Sequence, residues 1–239
     1  MSKLAVVTGG SGGIGFASAS ALVERGYDVV LTSRREEPLR VAAGKIGARW
    51  VAADASDDAS FGAVVADLGD IHLLVHAAGI LGGTFVRKER IETFDEVIRI
   101  NLRSAFVTVA AVLPKMPVGG RIIFISSTAG RQGMRGRAAY SASKAGMNAF
   151  AEALRGEVAR DGINVNVLIP APVDTDMLEQ VTFPMHTLQS KDVAAAVAFL
   201  DSLHPSVVLP EMVLQANDTG PLAPEPLLPE RYRERRSDG

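Results

Sequence analysis

The sequence lacks cysteine and, in its body, any block of basic residues. With no cysteine among 239 residues, disulfides, thiolate zinc sites and a thiol nucleophile are excluded. The net charge of -2 at pH 7 gives no electrostatic footprint for nucleic acid or an anionic membrane surface, so we expect neither as a partner. The four histidines lack the spacing of metal ligands, and we assign no metal site.

A long hydrophobic run is also missing from the start of the chain. Only a few apolar residues precede the glycine-rich stretch that begins at Gly9, which is too short for a signal peptide or a membrane span. We therefore expect a cytoplasmic protein. With 47% hydrophobic and 22% charged residues, the chain can bury a sizeable core, and its length lies within the range of one α/β domain.

Short β-branched runs alternate with longer stretches of helical period, which is typical of βαβ units. The predicted strands are Leu4–Thr8, Asp28–Thr32, Arg49–Ala53, Leu73–His76, Arg121–Ser126, Asn164–Ile169 and Glu211–Gln215. The predicted helices are Gly13–Arg25, Pro38–Ile46, Ala59–Leu68, Ile91–Leu113, Ala139–Arg160 and Lys191–Leu203. This pattern predicts an α/β protein: a single-domain Rossmann fold whose doubly wound, seven-stranded parallel sheet carries helices on both faces.

The last part of the chain differs in composition from the rest. From Pro221 onward it contains four prolines and then an arginine-rich run, with little apolar periodicity. We predict that residues 1–220 form the Rossmann-type domain and that residues 221–239 form a Pro/Arg-rich, flexible tail. A tail that docks a partner is the alternative.

A glycine-rich loop, Gly9-Gly10-Ser11-Gly12-Gly13-Ile14-Gly15, joins the first predicted strand to the first predicted helix. Glycines let the backbone turn sharply and approach a pyrophosphate, while the following helix aims its unpaired N–H groups at the anion. The alternatives for such a loop are an ordinary turn and a mononucleotide site. Its position between the first strand and the first helix favours a dinucleotide.

The spacing Thr8-Gly9-xxx-Gly13-x-Gly15 resembles the TGxxxGxG motif of the short-chain dehydrogenase/reductase family. Further landmarks of that family follow in order at Asp54, His76-Ala77-Ala78-Gly79, Asn101, Ser127, Tyr140-xxx-Lys144 and Pro170-Ala171. The family usually has Asn-Asn-Ala-Gly at 76–79 and Pro-Gly at 170–171, so this chain departs from the pattern twice. We interpret His76 as structural rather than catalytic. The resemblance implies an oxidoreductase that interconverts a carbonyl and an alcohol.

The resemblance also implies a set of cofactor-binding residues. They are Gly9, Ser11, Gly13, Ile14, Gly15, Ser33, Arg34, Arg35, Asp54, Ala55, Ala77, Ala78, Gly79, Tyr140, Lys144, Pro170, Val173 and Thr175. Within this set, Asp54 would accept a hydrogen bond from the adenine amine. The dinucleotide and the catalytic residues would then share the domain 1–220.

Tyr140 and Lys144 are four residues apart on a predicted helix, so their side chains project from one face. A tyrosine near its usual pKa of about 10 is a poor base at neutral pH, and a neighbouring cation lowers that pKa. By the resemblance, Lys144 also holds the nicotinamide ribose, Ser127 binds the substrate oxygen, and Asn101 holds a water of a proton relay. Taken singly, each of these residues could instead be ordinary surface, capping or turn chemistry.

The end of the second strand predicts a preference for NADP(H). Ser33 stands where NAD-specific relatives usually place an acid that binds the ribose, and Arg34 and Arg35 follow it. A guanidinium can bind a 2′-phosphate through paired hydrogen bonds. Gly12 occupies the place of a further basic residue that is frequent in NADP-binding relatives. The alternative is that both arginines are solvated loop charges.

The segment from Asp176 to Ser190 is where this family builds its substrate lid. Its apolar residues either line a shallow pocket or close the core; they are Met177, Leu178, Val181, Phe183 and Met185. Three arginines lie between Ser127 and Tyr140, at positions 131, 135 and 137. They could guide an anionic or carrier-bound substrate to the site, or they could be solvated loop charges.

We therefore expect an NADP(H)-dependent reductase of a ketone, an aldehyde or a keto acid. A non-catalytic NADP(H)-binding regulator or scaffold, or an epimerase or dehydratase on the same fold, is the alternative. The predicted helices Ile91–Leu113 and Ala139–Arg160 are apolar or small around much of their circumference. One buried face does not require this, and we expect a homodimer or homotetramer built on them.

Overall fold

The computed structural model describes residues 2–180, 185–219, 221 and 223–227. The strands in these ranges are β1 (Leu4–Thr8), β2 (Asp28–Ser33), β3 (Arg49–Ala52), β4 (Ile71–His76), β5 (Arg121–Ile125), β6 (Asn164–Pro170), β7 (Val173–Asp174), β8 (Leu188–Gln189) and β9 (Glu211–Leu214). The α-helices are α1 (Gly13–Glu24), α2 (Glu36–Ile46), α3 (Asp58–Ala66), α4 (Ile91–Ile98), α5 (Ser104–Val112), α6 (Ala138–Val158) and α7 (Ser190–Ser202).

Within the described ranges, seven strands form one parallel sheet in the order β3-β2-β1-β4-β5-β6-β9. The doubly wound Rossmann fold predicted from the sequence is confirmed. The strand order reverses between β1 and β4, which lie side by side although a long stretch of chain separates them. Loops at the carboxyl ends of strands at such a reversal form the usual ligand crevice of this architecture.

The sheet separates two hydrophobic cores. Alternate residues of β1 point to opposite faces, so that Val6 lies in one core and Ala5 and Val7 lie in the other. The first core packs β1 against α3, α5 and α6, and the second packs it against α1, α2 and α7. Burial on both faces explains why the central strands are nearly continuous runs of apolar residues.

The predicted strands and helices agree with the structure to within two residues at their ends, with one exception. The predicted helix Ile91–Leu113 is divided into α4 and α5 by a π-helical turn at Arg99–Arg103. A π turn inserts one extra residue into the hydrogen-bonded turn of a helix. The apolar pattern of the sequence does not change there, so the turn could not be predicted from it. The edge strand β3 is largely exposed, whereas we predicted that helices cover both faces of every strand.

The helical stretch Ile91–Lys115 is long and apolar enough to cross a membrane by length and composition, and half of its most apolar window is buried inside the protein. Its α5 portion packs against the first core through Ala105, Val109 and Val112. This packing accounts for the apolar residues on the buried side of the helix.

The predicted tail lies mostly outside the described residues. Of its described part, Leu227 exchanges two backbone hydrogen bonds with Met185, at 3.2 and 2.8 Å. The predicted flexibility of residues 221–239 stays a prediction.

Candidate active site

A cavity of about 770 Å³ opens at the carboxyl ends of the central strands. It is lined by the glycine loop after β1, the end of β2, the loop after β4, the end of β5 and the segment after β6. Most of the residues implied for the cofactor line it: Gly9, Ser11, Gly13, Ile14, Gly15, Ser33, Arg34, Arg35, Asp54, Ala55, Ala77, Ala78, Gly79, Tyr140, Pro170, Val173 and Thr175. The fold thus brings distant parts of the chain to one cavity.

Two glycines in the first loop have no room for a side chain. Gly9 has a φ of 68°, and a Cβ there would lie 2.8 Å from the carbonyl oxygen of Ala77. A Cβ on Gly15 would lie 2.3 Å from the carbonyl oxygen of Gly9. The loop therefore folds tightly against the loop after β4, and it brings the N-terminus of α1 to the cavity, where unpaired N–H groups suit a pyrophosphate.

At one end of the cavity lie the residues predicted to bind the adenosine. Arg34 forms an ion pair with Glu96 of α4, at 3.5 Å between Nη1 and Oε1. The Asp54 carboxylate accepts hydrogen bonds from Ser56 and, at 2.9 Å, from Nη1 of Arg99. Burial raises the pKa of Asp54, but these hydrogen bonds outweigh it and hold that pKa at about 2. Asp54 therefore stays an acceptor at neutral pH.

Ser127 and Tyr140 both line the cavity. Ser127 follows β5, and its Oγ accepts a hydrogen bond from the Ala129 amide at 3.2 Å. Tyr140 is 8% exposed, and burial raises the pKa of its phenol, while a hydrogen bond with Ser127 lowers it. From the sequence we expected Lys144 to lower this pKa, whereas in the structure burial raises it.

Lys144 and Asn101 lie directly behind Gly79. A Cβ on Gly79 would lie 3.6 Å from Nζ of Lys144 and 3.3 Å from Oδ1 of Asn101. Lys144 donates a hydrogen bond to the carbonyl oxygen of Ile125 at 2.8 Å, and burial lowers its pKa to about 8. Its Nζ is 5.9 Å from the centre of the Tyr140 ring. At pH 7 the ammonium form still prevails beside the phenol.

Asn101 sits on the π turn between α4 and α5, and its side chain is fully buried. Its amide oxygen accepts from the Ile80 amide at 2.8 Å, and its amide nitrogen donates to the Ile80 carbonyl and to Ser143, each at 3.0 Å. The side chain therefore fixes the loop after Gly79, which borders the cavity. π turns often occur at functional sites.

His76 is fully buried at the end of β4 and touches hydroxyl groups on both sides. Its Nδ1 lies 3.3 Å from Oγ1 of Thr8 and 3.1 Å from Oγ1 of Thr108, and its Nε2 lies 3.1 Å from Oγ of Ser104. Burial, assisted by the charge of Lys144, lowers the pKa of His76 to about 3. A neutral histidine that braces β1, β4 and α5 agrees with the structural interpretation from the sequence.

The substrate end of the cavity combines apolar side chains with two arginines. Met177, Leu178 and Met185 line it, as one of the two sequence interpretations expected, whereas Val181 and Phe183 fall outside the described residues. Arg135 and Arg137 also line it. Arg131, by contrast, pairs with Glu211 of β9.

Sequence reasoning missed several residues of the cavity and its rim. Leu81, Thr84 and Phe85, from the loop after β4, line the cavity. Phe85 is 47% exposed, and the guanidinium carbon of Arg135 lies over its ring, 5.3 Å from the ring centre. Glu96 and Arg99 form ion pairs with Arg34 and Asp54, from which they are far apart in the sequence. An exposed aromatic in a loop was the available signal for Phe85, and no local pattern marks Glu96 or Arg99.

The family model for short chain dehydrogenase matches residues 3–184. The chain is 35% identical to the 3-oxoacyl-(acyl-carrier-protein) reductase FabG of Salmonella typhimurium over 228 residues, which cover 87% of this chain and 93% of the relative. It is 36% identical to carbonyl reductase family member 4 of Danio rerio over 185 residues, covering 74% and 78%. Among solved structures, BdcA in complex with NADPH superimposes with a TM-score of 0.81 at 29% identity, covering 89% of this chain and 93% of that chain.

The chain belongs to the short chain dehydrogenase family. It is an oxidoreductase of that family, as the ordered motifs of the sequence predicted, and its fold is the family's single Rossmann-type sheet.

Proposed function

We propose that this oxidoreductase reduces a carbonyl compound, with NADPH as the hydride donor and Tyr140 as the proton donor. The observation that carries the proposal is that one cavity joins the glycine loop and Arg34 to Ser127 and Tyr140. A reduction of this kind needs both ends of such a cavity, one to hold a dinucleotide and one to hold the reacting carbonyl.

The residues present fit NADPH on two observations. The backbone at Gly9 and Gly15 leaves a cradle that a Cβ would fill, beside the N-terminus of α1. At the other end, Ser33 replaces the usual acid, and Arg34 and Arg35 supply positive charge beside Asp54. The relative of known structure in complex with NADPH supports the same cofactor.

Bound NADPH supplies a hydride to the carbonyl carbon, which leaves negative charge on the carbonyl oxygen. The Ser127 hydroxyl donates a hydrogen bond to that oxygen, and the Tyr140 phenol donates its proton to it. The ammonium of Lys144, held on the Ile125 carbonyl, stabilises the phenolate that remains. Asn101 holds the adjacent loop. It would also hold a water of the proton relay that reprotonates Tyr140.

Burial raises the pKa of the Tyr140 phenol above its usual value, which keeps the proton donor of a reduction in its protonated form. A phenol whose pKa lies above its usual value is protonated at neutral pH and can give a proton to a developing alkoxide. The oxidative direction needs the phenolate, which burial disfavours.

The walls of the substrate end suit a 3-oxoacyl group on an anionic carrier. Leu81, Met134, Met177 and Met185 give an apolar surface for an acyl chain, and Arg135 and Arg137 lie where an anionic handle would approach. The relationship to the 3-oxoacyl-(acyl-carrier-protein) reductase supports this substrate class. We further propose a cytoplasmic location.

The test is to follow NADPH oxidation with acetoacetyl-coenzyme A, a neutral ketone and an aldehyde, and to identify each product. We expect one alcohol formed per NADPH consumed, a secondary alcohol from the thioester or the ketone and a primary alcohol from the aldehyde, with the thioester preferred. Product without net NADPH consumption would instead identify an epimerase or a dehydratase, and NADPH binding without turnover of any substrate would identify a regulator.

A further inference from the structure

Four charged side chains form a continuous network along the adenosine rim of the cavity, and its charges cancel. Arg34, Glu96, Arg99 and Asp54 follow one another with separations of 3.5 Å, 2.7 Å and 2.9 Å between the closest paired atoms. Two cations therefore face two carboxylates. From the sequence we predicted that Arg34 binds the 2′-phosphate of NADPH. In the structure, Arg34 already has a counter-ion.

The carboxylate of Glu96 is fixed in place. Both of its oxygens accept hydrogen bonds from the guanidinium of Arg99, from Nε at 2.7 Å and from Nη2 at 2.8 Å. Arg99 is itself held by Asp54 and Ser56 on its other side. A bidentate pair of this kind has little freedom to turn away when another anion arrives.

The charge of Glu96 is also secure. Its hydrogen bonds with Arg99 hold the pKa of the carboxyl below its usual value, against the opposing effect of burial. At neutral pH, a phosphate that approaches Arg34 therefore meets a fixed carboxylate beside the same guanidinium. Arg34 is 48% exposed and can still turn toward a ligand, but it leaves Glu96 in doing so.

We propose that Glu96 determines cofactor specificity by competing with the 2′-phosphate of NADPH for Arg34, and so limits the discrimination against NADH. This inference rests on the proposed use of NADPH. NADH carries no 2′-phosphate, so its binding does not compete with Glu96. Glu96 lies outside the cavity lining and acts through Arg34.

The test measures dissociation constants of NADPH and NADH, by titration calorimetry, for the wild type, Glu96→Gln, Arg34→Ala and the double variant. Glutamine keeps the size of the side chain and an acceptor for Arg99 but removes the charge. A partly exposed ion pair contributes at most about 1 kcal/mol, so we expect Glu96→Gln to tighten NADPH binding about two- to fivefold and to leave NADH unchanged. Arg34→Ala alone should weaken NADPH roughly tenfold or more.

Four comparisons make the test decisive. In the Arg34→Ala background, Glu96→Gln should no longer increase the affinity for NADPH, because the competition requires Arg34. Glu92→Gln removes a charge on the same helix whose partner is Arg90, and it should leave both affinities unchanged. Glu96→Asp keeps the charge and should increase the affinity for NADPH less than Glu96→Gln does. High salt should reduce the difference between wild type and Glu96→Gln.

An unchanged ratio of the two affinities in Glu96→Gln would overturn the inference, and so would a weaker NADPH affinity, which would mean that Glu96 orients Arg34 for the phosphate. The proposed function fails differently: in that case the wild-type protein either does not bind NADPH or binds it without reducing a carbonyl substrate, and the turnover assay shows which.

Discussion

Tyr140 combines burial with access to the cavity, which is what a proton donor requires. General acid catalysis contributes roughly a hundredfold to ten-thousandfold to turnover, so Tyr140→Phe should lower kcat by that order while NADPH still binds. Steady-state kinetics with a cofactor titration measures both effects. Tyr27→Phe is the control, because it removes a phenol hydroxyl that bonds Asp201 instead. Near-normal turnover in Tyr140→Phe would remove the phenol from the mechanism.

Buried His76 makes the stability of the fold depend on pH. Its pKa is about 3 in the folded protein and about 6.5 when exposed, so the unfolded chain binds the proton first as pH falls. The contribution of neutral His76 is complete above pH 6.5 and is lost progressively below it. Between pH 7 and pH 5 the free energy of unfolding should fall by about 2 kcal/mol from this group alone.

Urea unfolding of the wild type and His76→Asn at several pH values measures this contribution. Asparagine does not titrate, so the variant should lose the steeper part of the pH dependence even if it is less stable at pH 7. Parallel pH profiles for the two proteins would show that His76 is not held neutral.

At the scale of the element, the loop between β5 and α6 carries the candidate recognition of an anionic substrate. Replacing both Arg135 and Arg137 by alanine should raise the Michaelis constant for an anionic substrate and weaken its salt dependence, with little change for a neutral ketone. Arg131→Ala is the matched control, since that side chain pairs with Glu211. Equal effects on the anionic and neutral substrates would leave the two arginines a structural role, as in the bond from Arg137 to the Gly83 carbonyl.

The elements themselves were predictable to different degrees. Runs of β-branched residues predicted the central strands because burial on both faces leaves little room for polar residues. The π turn that carries Asn101 was not predictable, since the apolar pattern is the same on either side of it. The short strands β7 and β8 were missed because a two-residue pairing has no period to detect.

At the scale of the whole molecule, most of the linear motifs follow strands of the parallel sheet, and because these strands end on the same side, the residues that the motifs identify come to one cavity. Asn101, Tyr140 and Lys144 are instead carried by helical segments. What the sequence could not show is which charges meet. Glu96 and Arg99 are three residues apart, but they meet Arg34 and Asp54 only because the fold brings the end of α4 and the following π turn to the segments after β2 and β3. The electrostatics of the adenosine rim is thus a tertiary property.

The surface of α4, α5 and α6 remains the basis for the predicted homodimer or homotetramer. Ile91, Phe94 and Phe106 are 75%, 41% and 61% exposed, and Phe106 stacks edge-to-face on Phe150 of α6 with ring centres 6.2 Å apart. Large apolar side chains grouped on neighbouring helices are costly in water and stabilise an interface when a second copy covers them.

We expect sedimentation at micromolar concentration to show a dimer or a tetramer. Phe106→Asp should weaken the assembly by a hundredfold or more, because a buried aromatic anchor is typically worth at least about 2 kcal/mol and an unpaired charge in an interface adds to the loss. Val118→Asp is the control: Val118 is 85% exposed but lies in the turn before β5, outside the three helices and beside Gly162 beyond the end of α6, and the variant should assemble like the wild type. A monomeric wild-type protein would refute the prediction, and an assembly that tolerates Phe106→Asp would move the interface to another surface.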